Sequence, residues 1–361
     1  MNHDTKLETT LKASFKLQAQ RITAMRMFTK AAIQTRSVDY KQLSLAMNHD
    51  VDPDSNFKRI QRLINEVTLS PTDKHHFVMM GRKKVRIAFL DHKMHLRAWS
   101  LDRTEWDFGK LTNNLLTSGV EYNGLSIPIQ VTDLGKCGAS NDDERIKVLN
   151  AMLEIIPAEE IEVFTADREF PSKRFLEHLE IKGIPFAVRI KCDALIEYDG
   201  VEQSASQWFK AYQRKRLRGV EVYGVRVNVC GRRLKKRNGK QDYLIVVTSL
   251  EPDEGFELYK SRWRIETLFG ALKSRGFNLE NTRVTQSSRL ENLVIMLGIA
   301  LVWALKIGKW VKSAQGCRER KDGTPFYSLC RLGLDFLRRL LLNPNPKLSA
   351  WDEVNRVLSC T

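Results

Sequence analysis

The sequence predicts an α/β fold: a mixed β-sheet carrying helices, with one helical region before it and another after it. Three observations carry this prediction. Residues 1 to about 70 place apolar side chains at helical spacings. From about residue 84, β-prone runs alternate with helical stretches, the element order of an α/β sheet. From roughly 285 to 340 the pattern is again helical, and apolar enough to cover a sheet. A chain of 361 residues with 42% hydrophobic content buries a sizeable core and has room for two or three domains.

The elements follow in order. Leu11, Phe15, Leu17, Ile22, Met25 and Phe28 mark helical packing. Further helical segments span Tyr40 to Met47 and Phe57 to Val67, the latter with Lys58, Arg59 and Arg62 on its polar side. Small helical units with a basic helix commonly read duplex DNA, and an ordinary packing domain has the same pattern. Ser70-Pro71-Thr72-Asp73 suits a boundary. VRIAFL, ending at Asp91, and HLRAWSL, running into Asp102, read as strands. NNLLTSGVEY and LSIPIQVTDL are strands joined by Asn123-Gly124, a strong hairpin signal. Asn141 to Ile155 is a helix capped by Ser140 or Asn141, and Ile161 to Ala166 is a short strand that ends at Asp167. Residues 172–182 form a helix and IPFAVRIK a strand.

Between Cys192 and Leu250 the order is interrupted by a β-rich insertion. VEVYGVRVNV alternates with period two as one strand, and DYLIVVTS is a second. Between them GRRLKKRNGKQ forms a cationic tip, and Arg214, Lys215, Arg216 and Arg218 form a second basic cluster. Solvated surface and phosphate-backbone binding both fit these clusters.

The charge balance restricts the partner class. Lys and Arg total 59 against 43 acidic residues, leaving a formal charge of +16, which suits a polyanion. Six scattered cysteines with no C-x-x-C pair give neither a zinc site nor a disulfide framework. The N-terminus, MNHDTKLETT, is too polar for a signal peptide. The longest apolar run, Leu293 to Leu305, falls short of the roughly 20 residues that span a bilayer. A soluble protein with that run as a core helix is expected, with no membrane partner.

The most informative stretch is LYKSRWRIETLFGALKSRGF. On one helix at about 100° per residue, Tyr259, Arg262, Glu266 and Lys273 fall within an arc of roughly 60°. Leu258, Ile265, Leu268, Phe269 and Leu272 turn to another side. A carboxylate among cations on a packed helix suits metal-assisted phosphoryl transfer on nucleic acid, and an ordinary polar face has the same spacing. That chemistry needs carboxylates from separate elements, with oxygen ligands for a hard cation. Asp102 in SLDRTEW and Asp167 in TADREF stand at strand ends, where α/β sites are built. Each is followed by Arg.

Together, LDRTEWDFGK, TADREF and Tyr259-x2-Arg262-x3-Glu266-x6-Lys273 resemble the DDE transposases of bacterial insertion sequences, specifically the "IS-four" family with its Tyr-Arg-Glu-Lys signature and β-rich insertion. The resemblance covers about residues 95 to 280. It implies an RNase H-like core of the retroviral-integrase superfamily, in which Asp102, Asp167 and Glu266 hold Mg²⁺, with Mn²⁺ as substitute. It also implies that Tyr259, Arg262 and Lys273 hold DNA phosphates and steady a flipped nucleotide in hairpin-forming relatives. Arg189 and Arg168 are further candidate DNA contacts. Relatives stack the flipped base on a Trp of the insertion; Trp208 is the only tryptophan there, and a core role is the competing reading. Asp91 rivals Asp102 as the first carboxylate, and the DRT-x-W context favours Asp102.

The implied organisation is a helical DNA-binding domain over 1–75, a catalytic core over 76–285 with its insertion at about 192–250, and a helical C-terminal region over 286–361. The implied activity is cut-and-paste transposition by a homodimer on double-stranded DNA, in the bacterial cytoplasm at the nucleoid. A domesticated relative that binds DNA without cutting it is the alternative; a junction resolvase fits less well.

Overall fold

A computed structural model describes residues 3–12, 15, 17–47, 50–66, 98–210, 214–235, 241–343 and 348–359. VRIAFL, Asp91, the expected boundary near residue 70 and the outer part of the cationic tip lie outside the described residues.

Four helices come first: α1 (His3–Lys12), α2 (Ala19–Thr35), α3 (Tyr40–Ala46) and α4 (Pro53–Glu66). Asp39 caps α3 by accepting from the Gln42 N–H, the usual service of an Asp at a helix start. The strands β1 (Ala98–Phe108), β2 (Leu111–Tyr122) and β3 (Leu125–Asp133) form an antiparallel meander. Asn123 and Gly124 take positive φ of 50° and 87°, which fits the two-residue turn that Asn-Gly favours. Next come α5 (Asp142–Leu153), β4 (Val163–Ala166), α6 (Lys173–Ile181) and β5 (Phe186–Arg189). Asn141 and Glu144 make a reciprocal capping box on α5, and Ser172 caps α6.

The insertion holds β6 (Leu195–Tyr198), β7 (Val201–Ser204), the short α7 (Ala205–Phe209), β8 (Lys215–Val222), β9 (Val225–Lys235) and β10 (Gln241–Thr248). VEVYGVRVNV is therefore two strands, not one. Tyr223 and Gly224 take positive φ of 53° and 72° and reverse the chain, and Val222 pairs with Val225. Period two continues across a tight turn, so alternation alone does not reveal the reversal.

Among the described residues, all ten strands join one sheet in the order β3-β2-β1-β4-β5-β10-β9-β8-β6-β7. The insertion thus extends the sheet. β4 lies parallel to both β1 and β5, while the other pairs are antiparallel.

Alternation divides the side chains between two faces. On one face Ala98, Val163, Ala187, Cys230 and Val246 pack beneath Phe256 and Tyr259. Those two belong to α8 (Pro252–Tyr259), which continues through a 3₁₀ turn at Lys260–Arg262 into α9 (Trp263–Leu272). The other face carries Trp99, Phe164, Val188, Val229 and Ile245 in the larger core, shared with α10 (Ser287–Gln315), α11 (Leu329–Leu342) and α12 (Leu348–Ser359).

The apolar run at 293–305 sits inside α10, which is 29 residues long and apolar enough to cross a membrane by length and composition. Its most apolar window is 89% buried within the protein, as in a core helix. Gly308 of α10 faces Leu329 and Gly333 of α11 so closely that a Cβ would meet backbone. Gly255 likewise lets α8 lie against Thr248 of β10. Gly255→Val is expected to lower stability by about 1–3 kcal/mol through overpacking, measured by chemical denaturation.

Candidate active site

The pairing of β1 with β4 builds the site. Leu101 is in register with Ala166, so Asp102 and Asp167 are the next residues along neighbouring parallel strands. Asp102 does not end its strand as the sequence suggested. β1 runs on to Phe108 against β2, and only β4 stops, at Ala166. By alternation Ala98, Ser100 and Asp102 share the face covered by α8, as do Val163, Thr165 and Asp167. Ser100 Oγ and Thr165 Oγ1, 3.1 Å apart, tie the strands one step below the acids.

Above them, the helical rod is not one α-helix. The 3₁₀ turn places Arg262 at the joint, and Lys273 lies past the end of α9 with non-helical backbone. The four residues of the sequence stripe consequently separate. Arg262, 8% exposed, is the centre: Nη1 lies 3.3 Å from Asp102 Oδ2, and Nη2 donates to Glu266 Oε1. Tyr259, 5% exposed, packs on the sheet with the Arg262 guanidinium 5.8 Å from its ring centre. Burial pushes its phenol well above the ordinary value. Lys273 leaves for the far end of β1, where Nζ donates to Glu105 O at 3.3 Å, pairs with Glu280 at 2.8 Å and lies over Trp106. Ile265, Leu268 and Leu272 are buried as the spacing predicts.

The remaining sequence candidates divide. Arg189 of β5 flanks Asp167, with Nη1 3.9 Å from Oδ1, and donates to Tyr243 O. Arg168 is exposed beside Asp167. Glu169 pairs with Arg103 at 3.2 Å, buttressing the residue after Asp102. Trp208 lies on the opposite face of the sheet. Its neighbour Phe209 packs against Gly231 and Ile245 of that face. Its indole N–H donates to Ile196 O, and Tyr198 and Lys215 cover its ring.

Trp263 is an aromatic that spacing arguments missed. It follows Arg262 and is 62% exposed, against the tendency of a large indole to be covered. Its position directly after the buried arginine was the available signal.

Burial raises Asp102 to about 7; the Arg103 N–H and Arg262 oppose that shift, and Asp167 and Glu169 add to it. Asp167 Oδ1 is buried without a hydrogen-bond partner, its ion pair to Arg189 being long at 3.9 Å, so it is a carboxylate oxygen suited to a cation. No three His, Cys, Asp or Glu among the described residues converge as they stand to hold a metal ion. Arg262 bridges Asp102 and Glu266 in this arrangement. The donor set is all carboxylate oxygen, which fits a hard divalent cation.

The second basic cluster differs from expectation. Arg214, just before β8, pairs with Asp253 and Glu257, and on β8 Arg216 pairs with Asp253 and Arg218 with Glu251, forming a ladder onto α8 and the residue that precedes it. These guanidinium groups anchor the helix leading to Arg262. A cavity of about 1140 Å³ lies elsewhere, between α2 and α4, and its lining includes Arg21, Arg26, Lys30, Arg59 and Arg62.

Residues 122–303 match the transposase DDE domain family, about half of the chain, and the protein belongs to that family. The match includes Asp167, Arg262 and Glu266 but begins after β1, so Asp102 joins them through strand pairing. No curated protein matches the chain. Among solved structures, the piggyBac transposase synaptic complex with hairpin DNA aligns at 12% identity and a TM-score of 0.43, over 98% of this chain and 82% of that one. A likeness that slight carries no argument.

The raised Asp102 value predicts a pH dependence. Its folded-state value of about 7 lies above the ordinary 3.8, so folding takes up a proton between them. Stability of the metal-free protein should therefore fall as pH rises from about 4 to 7, by up to about 1.4 kcal/mol per pH unit. Denaturation in chelator at pH 5 and pH 8 should show this slope in the wild type, and Asp102→Asn should flatten it.

Proposed function

We propose that the protein is a cut-and-paste DNA transposase of the "IS-four" type, with an RNase H-like core formed by the β3-β2-β1-β4-β5 half of the sheet. Asp102, Asp167 and Glu266 are its catalytic carboxylates. The observation that carries this reading is the adjacency of Asp102 and Asp167 on parallel strands, with Glu266 joined to Asp102 through Arg262. DDE transposases generally use divalent metal ions, and here the three carboxylates would hold Mg²⁺ or Mn²⁺. Such ions activate water or a 3′-hydroxyl and stabilise the leaving oxygen in phosphodiester transfer.

The chain's own residues supply position and charge. The hydrophobic seat of Tyr259 fixes the turn that presents Arg262. Arg262 neutralises two carboxylates in this arrangement, and a cation held by those carboxylates would free its guanidinium for a DNA phosphate. Arg168 flanks the site and Arg189 backs Asp167, while Lys273 would meet DNA farther along, at the end of β1. The exposed indole of Trp263, rather than the covered Trp208, offers a base a stacking surface beside the acids.

The substrate is the terminal inverted repeats of an insertion sequence. Strand nicking frees a 3′-hydroxyl, a hairpin intermediate releases the element, and strand transfer joins it to target DNA. A homodimer holds the two ends, and the basic cavity of the N-terminal helices contributes to end binding. Catalysis takes place at the bacterial nucleoid.

Two outcomes test the reading on a plasmid carrying the DNA that flanks the gene. Glu266→Gln should lower Mg²⁺-dependent nicking by at least about a hundredfold while end binding persists in gel shifts; equal nicking by both proteins rejects the carboxylate assignment. Trp263→Ala should lower DNA affinity or end processing by about 1–3 kcal/mol, the size of a base–aromatic stack. Trp208→Phe should leave both unchanged.

A further inference from the structure

The turn joining α10 to α11 has no role in the chemistry above. Residues 316–328, GCRERKDGTPFYS, fold as a small ordered hairpin. Glu319 bridges Pro325, the Phe326 N–H donates to Arg318 O at 2.8 Å, and the Arg320 N–H donates to Thr324 O at 2.8 Å. Gly323 takes a φ of 77° and closes the turn. Alternation then puts Arg318, Arg320 and Phe326 on one side and Glu319 on the other. Both guanidinium groups stack on the Phe326 ring, 4.7 and 5.8 Å from its centre, and Tyr327 packs edge-on against Phe326. Phe326 and Tyr327 are 40% and 43% exposed.

The charges on this hairpin contrast with those on β8. The β8 arginines are consumed by the acids of α8. Among the described residues, no carboxylate lies within ion-pair distance of Arg318, Arg320 or Lys321. Glu319, between the two arginines, lies on the other side of the hairpin, and Asp322 turns back onto the N–H and hydroxyl of Thr324, reaching Arg320 only from beyond ion-pair distance. An aromatic ring that holds two unpaired guanidinium groups together presents their outer N–H edges to one acceptor at little further entropy cost.

We propose that this hairpin is a second DNA-binding element, a clamp for the phosphodiester backbone away from the catalytic carboxylates. α10 separates the two. Its first turn is tied to Asp133 at the catalytic end of β3, where Ser287 bonds the Asp133 carboxylate and Glu291 accepts from the Asp133 N–H. A helix of 29 residues at 1.5 Å per residue carries its other end about 43 Å away. The identity of the polyanion rests on the transposase reading; the unpaired cations on their aromatic platform do not.

The test is equilibrium binding of the full-length protein to a labelled duplex oligonucleotide without divalent metal, across a salt series. Combining Arg318→Ala, Arg320→Ala and Lys321→Ala should weaken binding on the order of tenfold at 0.1 M salt and reduce the slope of log K against log salt by about 2–3. Phe326→Leu, which keeps the charge, should give part of that loss. Neutralising three exposed lysines elsewhere, Lys147, Lys182 and Lys191, should cost less. Equal losses in the two triple variants, or no change of slope in the hairpin variant, overturn the proposal. So does wild-type DNA affinity accompanied by a shift from dimer to monomer in sedimentation, which would make the hairpin a protein interface. Binding is read without cleavage, so failure here is separate from failure of the Glu266→Gln test.

Discussion

Arg262 holds the candidate site together. Side by side on buried strands, two carboxylates repel one another and lose hydration, and a third approaches from the helix above. Such a cluster is stable only with compensating positive charge. Arg262 supplies it from inside the protein, touching Asp102 and Glu266 from a position that water hardly reaches. The compensation is incomplete. Asp102 remains shifted upward, and Asp167 Oδ1 has no hydrogen bond, only the long ion pair to Arg189. An unsatisfied acidic cluster is a poor device for stability and a good one for binding a cation.

Much of the surrounding fold serves to place that one side chain. Tyr259 and Phe256 seat the rod on the sheet, Gly255 lets it lie close, and the ion-pair ladder from β8 braces its first turns. Exposed ion pairs are individually weak, and several along one helix face act together mainly to orient it. The β-rich insertion therefore stiffens, through β8, the helix that leads to Arg262. Three of its arginines are spent on this bracing, so net charge along the sequence does not measure how much positive charge is free.

Much of the architecture was legible because it is local. Asn123-Gly124 announced its hairpin through a backbone conformation few other pairs adopt, and Asn141 with Glu144 announced α5 by a capping box. The DRT-x-W and ADREF contexts and the Tyr-Arg-Glu-Lys spacing picked out residues that gather at one place, apart from Lys273, which leaves for the end of β1. Errors arose where periodicity was extended too far. Alternation ran unbroken through Tyr223-Gly224, and a uniform 100° step ran through a 3₁₀ turn and past the end of α9.

By itself, the sequence determined most of the elements outside the insertion and the acidic motifs, since these depend on neighbours within a turn or a strand. Only the tertiary structure decided which charges are spent and which are free. Arg214 and Arg318 look alike in the chain, yet one is matched by acids of α8 and the other stacks on Phe326 with no carboxylate of the described residues within ion-pair distance. Likewise Trp208 and Trp263 are both tryptophans near basic residues, and the sheet puts them on opposite sides of the decision between core and surface. A charge or a ring acquires its role from what packs against it. In this fold those partners come from distant parts of the chain.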